Sequence, residues 1–195
     1  MIALQAFFWV MVIFFALIGA MRGWSKEVIA MAGLILSLFA INTFGGTLVR
    51  LVSGVGSDGL PTDIVDQMRT QFYLLALIHV GIAFFSYQGV ALVGGRLSGR
   101  ERFQERLLGM IFGALNGYLI VGTLWSFLEY QSSSEGWLRL PENFPYAFDP
   151  IITRPDVLNN PGLELILTNL PLPFLAPWLP ILVVVIFLFV IIVVI

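Results

Sequence analysis

His79 is the single histidine of the chain and sits in the middle of an apolar run, where an ionisable side chain is by default a candidate for proton movement. A relay needs an acidic neighbour within the lipid region. None of the apolar runs supplies one, so His79 reads as a neutral imidazole hydrogen-bonded to an adjacent helix. Asn116 is the second polar residue of interest, because it lies beside Gly109, Gly113 and Gly117. Intervals of four put these glycines on one stripe, where a second helix backbone approaches closely, and Asn116 can add an interhelical hydrogen bond of ~1 kcal/mol or less. Asp63 and Asp66 could offer oxygens to a cation, yet nothing nearby supplies the further ligands that Ca²⁺ or Mg²⁺ requires. A helix start capped by Thr62 or Asp63 accounts for the pair, since carboxylates favour that end of the helix dipole. With one His and no Cys, two-His metal motifs, thiolate sites, disulfides and cysteine nucleophiles are excluded. There is no nucleophile elbow, phosphate loop or HExxH either. The sequence therefore predicts no enzyme, no cofactor and no metal.

The elements that hold these residues follow from composition. Of 195 residues, 58% are apolar and 11% charged, against roughly 45–50% and about 25% in soluble chains, and the mean hydropathy is +0.93. A bilayer core of about 30 Å needs about 20 apolar helical residues. Five runs qualify: Ile2–Met21, Val28–Val49, Phe72–Gly95, Leu107–Leu128 and Phe174–Ile195. The first lacks the positive leader and the cleavage site of a secretory signal, so it is expected to stay as a helix. The third is interrupted by His79, Ser86 and Gln88, which a bundle tolerates on an inward face. The expected fold is an all-α integral membrane protein, a bundle of four core helices with a fifth at the C-terminus. Residues 1–128 form the core, 129–173 an outer Pro-rich segment, and 174–195 the last span.

Short cytoplasmic loops carry an excess of Lys and Arg. The first and third connections hold Arg22, Lys26, Arg96, Arg100, Arg102 and Arg106 against Glu27, Glu101 and Glu105, while the second and fourth hold four basic and nine acidic residues. That places the N-terminus outside, the first and third connections in the cytoplasm, and the second and fourth outside. The arginines of the third connection can also reach anionic headgroups. A net charge of −2 and a pI near 5.3 argue against nucleic acid as a partner, because that binding neutralises phosphates with clustered Lys and Arg. The lipid bilayer is the first partner.

Nine of the ten prolines lie at or beyond Pro141, mixed with Trp137, Phe144, Tyr146 and Phe148. Asn160 followed by Pro161 is a helix cap and first position. The helix it starts sets Leu163, Ile166, Leu167 and Leu170 on one side, so a short amphipathic helix is expected on the membrane surface or over the bundle. An exposed apolar stripe can also dock a partner.

Two segments together resemble a family. Gly19-Ala20-Met21-Arg22-Gly23-Trp24-Ser25-Lys26-Glu27 is similar to the Gly-x-x-Arg-Gly-aromatic-x-x-Glu signature of the colicin V production protein (CvpA) family. Glu105-Arg106-Leu107-Leu108-Gly109-Met110-Ile111-Phe112-Gly113-Ala114-Leu115-Asn116-Gly117 resembles its Asp-Arg-Leu-Leu-Gly-x-x-Phe-Gly-x-x-Arg-Gly. The matching positions are Gly19, Arg22, Gly23, Glu27, Arg106, Gly109, Phe112, Gly113 and Gly117; Glu105 replaces the usual Asp, and Asn116 the usual Arg. The resemblance implies a multi-pass protein of the bacterial inner membrane with four core helices, associated with colicin V type toxin production or export and with envelope homeostasis through membrane or envelope protein partners. A charge network joining Arg22 and Glu27 to Glu105 and Arg106 is the expected role of the charged motif positions. A small channel or transporter subunit, with the glycine stripe packing against other copies in a homo-oligomer, is the alternative.

Overall fold

A computed structural model describes residues 4–53, 64–88, 99–133, 136–141, 144–157 and 160–194. Four long helices form its body: α1 (Leu4–Arg22), α2 (Trp24–Ser53), α3 (Ile64–Tyr87) and α4 (Gly99–Glu129). Each is long and apolar enough to cross a membrane. Large apolar side chains such as Phe14, Leu77 and Phe85 remain exposed, as a surface solvated by lipid tails permits. The chain is an all-α multi-pass membrane protein. Helix α2 packs against both α3 and α4, and α1 packs along α4. Leu34, Leu38 and Ile41 of α2, Leu75 of α3 and Phe127 of α4 are buried together between them.

The third helix runs from Ile64 to Tyr87, earlier than the run from Phe72 to Gly95. Its first turns hold Asp66, Gln67, Arg69 and Gln71, which a hydropathy window rejects. Arg69 and Gln71 are accommodated because the outer segment takes their hydrogen bonds, while Asp66 stays exposed. Gln71 is buried and its Nε2 donates to the Tyr130 carbonyl at 2.8 Å, while Arg69 Nε donates to the Ala147 carbonyl at 2.9 Å. The expected cap at Thr62 or Asp63, the end of the expected third span at Gly95, and Arg96 all lie outside the described residues, as do Ile2 and Ile195.

Beyond α4 the chain makes an antiparallel hairpin, β1 (Tyr130–Ser133) and β2 (Gly136–Arg139), with Tyr130 opposite Arg139. The Ser132 amide donates to Gln71 Oε1 at 3.0 Å, which docks the hairpin on α3. Helix α5 (Pro161–Thr168) starts where Asn160 Oδ1 accepts from the Leu163 amide at 3.3 Å, with Pro161 in its first turn. Leu163 and Leu167, with Leu170 just past the helix, are buried in one cluster with Trp125 and Tyr130. The apolar stripe thus packs onto the end of the bundle, and Leu165 on the other side stays exposed.

The C-terminal run is not one helix. It divides into α6 (Pro171–Leu175) and α7 (Leu179–Val194), with a turn over 176–178. Proline lacks the amide a helix interior needs, and Pro171, Pro173, Pro177 and Pro180 crowd this stretch. The 16 residues of α7 rise about 24 Å. Leu172 and Leu179 are fully buried in the cluster of Leu34 and Phe127, so this run is part of the bundle.

Candidate functional site

Only Gly23 separates α1 from α2. Its φ of 84° lies in the left-handed region, which disfavours L side chains by about 1–2 kcal/mol. Its amide bonds the Gly19 carbonyl at 2.9 Å and so closes the end of α1. A Cβ at Gly23 would also press on Glu105, whose Oε1 would be 2.5 Å away. The reversal brings Arg22 Nη1 to 2.5 Å from Glu27 Oε1. Glu27 has no exposed surface, and two more helices reach it. Tyr87 Oη of α3 donates to its Oε2 at 3.3 Å. Asn116 Nδ2 of α4 donates to Oε2 at 2.8 Å and to the Glu27 carbonyl at 2.9 Å. Arg22 in turn donates from Nη2 to the Tyr87 carbonyl at 2.8 Å and lies 4.4 Å over the Tyr87 ring. All four long helices meet at one carboxylate. A buried charge persists only when paired and hydrogen-bonded, and these partners meet that demand.

The sequence placed Glu27 in a connection and found no carboxylate inside the bundle. The structure corrects this, because α2 begins at Trp24 and carries Glu27 inward in its first turn. The expected link from Arg22 to Glu105 is not formed among the described residues: Arg22 pairs with Glu27, Glu105 abuts Gly23, and Arg106 is exposed. A tight turn sets Glu27 within reach of Arg22 before any residue of α4.

Gly109, Gly113 and Gly117 face α1. A Cβ at Gly113 would lie 2.9 Å from Gly19 Cα, one at Gly117 would lie 2.8 Å from Phe15 Cβ, and one at Gly109 would strike the Gly19 carbonyl. The stripe therefore closes α4 onto α1 within one chain. Phe112 points elsewhere, lining a cavity between α2 and α7.

His79 has no exposed surface. Its Nδ1 lies 2.9 Å from Ser37 Oγ of α2, and its ring meets Phe127 of α4 edge-on at 6.3 Å. Three buried atoms have no partner among the described residues: His79 Nε2, Thr123 Oγ1 and Asn116 Oδ1. No group of three His, Asp or Glu side chains gathers among those residues to hold a metal.

A second buried carboxylate went unnoticed in the sequence. Glu129, the last residue of α4, has no exposed surface. Its Oε1 accepts from Arg139 Nε at 2.8 Å and Arg154 Nη2 at 2.6 Å, and its Oε2 from Tyr146 Oη at 2.7 Å. Tyr146 Oη accepts from Trp125 Nε1 at 3.0 Å. Arg139 also grips Glu164 of α5 with two bonds of 2.6 and 2.8 Å, and Arg154 donates to the Leu140 carbonyl at 3.0 Å. Burial, reinforced by the adjoining Glu129 carboxylate, pushes the Tyr146 phenol up and keeps it a donor. The Arg139 guanidinium holds the Glu164 carboxyl below its usual range. No spacing marks these residues, since the outer chain gathers them from positions 129 to 164.

Neither a curated protein nor a solved structure matches the chain. The family model described as Colicin V production protein matches residues 4–143. That stretch holds the Arg22–Glu27 turn, the glycine stripe, His79 and the Glu129–Arg139 pair, while Arg154 and Glu164 lie past it. With well over half of its length matched, from α1 through the outer hairpin, the chain belongs to the colicin V production protein family.

Proposed function

We propose that this protein is a non-enzymatic accessory of the bacterial inner membrane, supporting colicin V type toxin production or export and envelope homeostasis through membrane or envelope protein partners. The observation that carries the reading is the family match over residues 4–143. The geometry supports it. Glu27 and Glu129 are both engaged by their own chain, through Arg22 and Asn116 at one end and Arg139, Arg154 and Tyr146 at the other. With both carboxylates paired to arginines of the same chain, these clusters serve to fix the bundle. The distribution of basic residues puts the N-terminus and the outer segment on the extracytoplasmic side and the Arg-rich start of α4 in the cytoplasm. Partners on the outer side would meet Leu138, Ile151 and Leu165, apolar side chains left more than half exposed on that segment.

The test is made in a toxin-producing host deleted for its own copy. Wild type should restore toxin activity in the culture supernatant, and Gly113→Leu, which forces α4 off α1, should not. Full secretion by the deletion strain would refute the reading. Ion or solute flux through liposomes carrying the purified chain would favour a channel or transporter subunit instead.

A further inference from the structure

Helix α7 runs antiparallel to α2 and leaves an open seam along it. Near the start of α2 the seam widens into a cavity of about 320 Å³, lined by Trp24, Val28 and Ala32 of α2, Phe112 of α4, and Ile186 and Phe189 of α7. A second cavity of about 250 Å³ adjoins it, sharing Ala32 and Ile186 and reaching Gly33, Leu36 and Val183. Every lining side chain is apolar. From Trp24 to Leu36 the groove climbs about 18 Å at the α-helical rise. One leaflet of a bilayer core is about 15 Å deep, half of roughly 30 Å, so the groove has the depth of a single acyl chain. The mouth is suited to a headgroup. Trp24 stands there, and its indole N–H has no partner among the described residues; tryptophan favours this depth because its ring is apolar and its N–H polar. The same end of the bundle carries Lys26, Arg102 and Arg106, three cations with no ion pair among the described residues against the one carboxylate of Glu105 beside Gly23, so its net charge favours an anion.

We propose that the α2–α7 seam is a lipid site, taking one acyl chain of an anionic phospholipid from the leaflet at the basic end of the bundle, with the headgroup at Trp24. The occupant is a lipid and not a protein segment because the groove is apolar throughout and one leaflet deep. The inference needs only that the chain spans a membrane, and holds whichever way the bundle points.

The full chain is purified in detergent after exposure to phosphatidylglycerol or phosphatidylcholine and weighed by native mass spectrometry. Wild type should retain one phosphatidylglycerol, and phosphatidylcholine at least fivefold less. Ala32→Phe, which fills the junction of the two cavities, should lower retention at least tenfold, whereas Ile13→Phe on the exposed face of α1 should leave it unchanged. As a readout needing no substitution, a phosphatidylglycerol with a photoreactive group in mid-chain should label wild type within residues 24–36 and 183–189. No retained lipid, retention indifferent to Ala32→Phe, or labelling spread evenly over the four long helices would overturn the site. A wild-type dimer that Ala32→Phe dissociates would overturn it in favour of a second copy in the seam.

Discussion

Glu27 has one cation, Arg22, at 2.5 Å and no contact with solvent, so the pair should behave as a buried ion pair. Breaking one partner strands a charge at a cost of about 3–5 kcal/mol, whereas removing both charges costs far less. Arg22→Met should therefore lower the unfolding temperature of the purified chain steeply, and Arg22→Met with Glu27→Gln should recover most of the loss. If the double variant is no better than the single one, the pair is not what holds this end. The outer network has a pH signature. Arg139 holds the Glu164 carboxyl below its usual range, so the bond contributes fully above a pH of about 4.3 and is lost as pH falls through the lower folded value. Wild type should exceed Glu164→Gln in unfolding temperature at pH 7 and lose that advantage toward pH 3; an advantage that grows in acid would contradict the sign. Glu164 is half exposed, so the difference should be small. Arg22, Glu27 and Asn116 were legible as individual residues from the family signature. Their meeting was not, because it depends on Gly23 folding α2 back at once. Glu129 was illegible for another reason: its partners come from distant positions on a segment without periodicity.

Among the elements, the pairing of α4 with α1 is the contact most open to test. The glycine spacing announced a close helix contact, and only the fold says that the partner is α1 of the same chain. A side chain at Gly113 would meet the Gly19 backbone, and forcing bulk into a packed contact costs about 1–3 kcal/mol or more. Gly81 on α3 makes a matched control, since a Cβ there would meet nothing within 4 Å. Gly113→Leu should lower the unfolding temperature and Gly81→Leu should leave it nearly unchanged. Equal effects would mean that helix propensity, not the close approach, explains the loss. Apolar length found the C-terminal ends of α1 and α4 to within one residue and both ends of α2 to within four, and it started α4 eight residues late. It began α3 eight residues late because Asp66, Arg69 and Gln71 look like a loop until the outer segment takes the hydrogen bonds of Arg69 and Gln71. It also started the last run at Phe174 instead of Leu179, since hydropathy is blind to the prolines that split α6 from α7.

For the whole molecule, the two buried carboxylates lie at opposite ends of the bundle, with Glu27 in the first turn of α2 and Glu129 closing α4. Each end is tied by its own arginines, so the ends are fixed independently and face different compartments if the bundle spans the membrane. The charge distribution predicts which end faces which compartment, because the connection ahead of α4 is basic and the segment after it carries the acidic excess. The absence of cysteine lets one substitution report each side. Gln104→Cys and Ile151→Cys both replace exposed residues, Gln104 near the start of α4 and Ile151, 71% exposed, on the outer segment. An impermeant maleimide on spheroplasts should label Ile151→Cys directly and Gln104→Cys only after the membrane is opened. The reverse pattern would turn the protein over, move the Glu129 network and its exposed apolar side chains into the cytoplasm, and send the search for partners to the other side of the membrane.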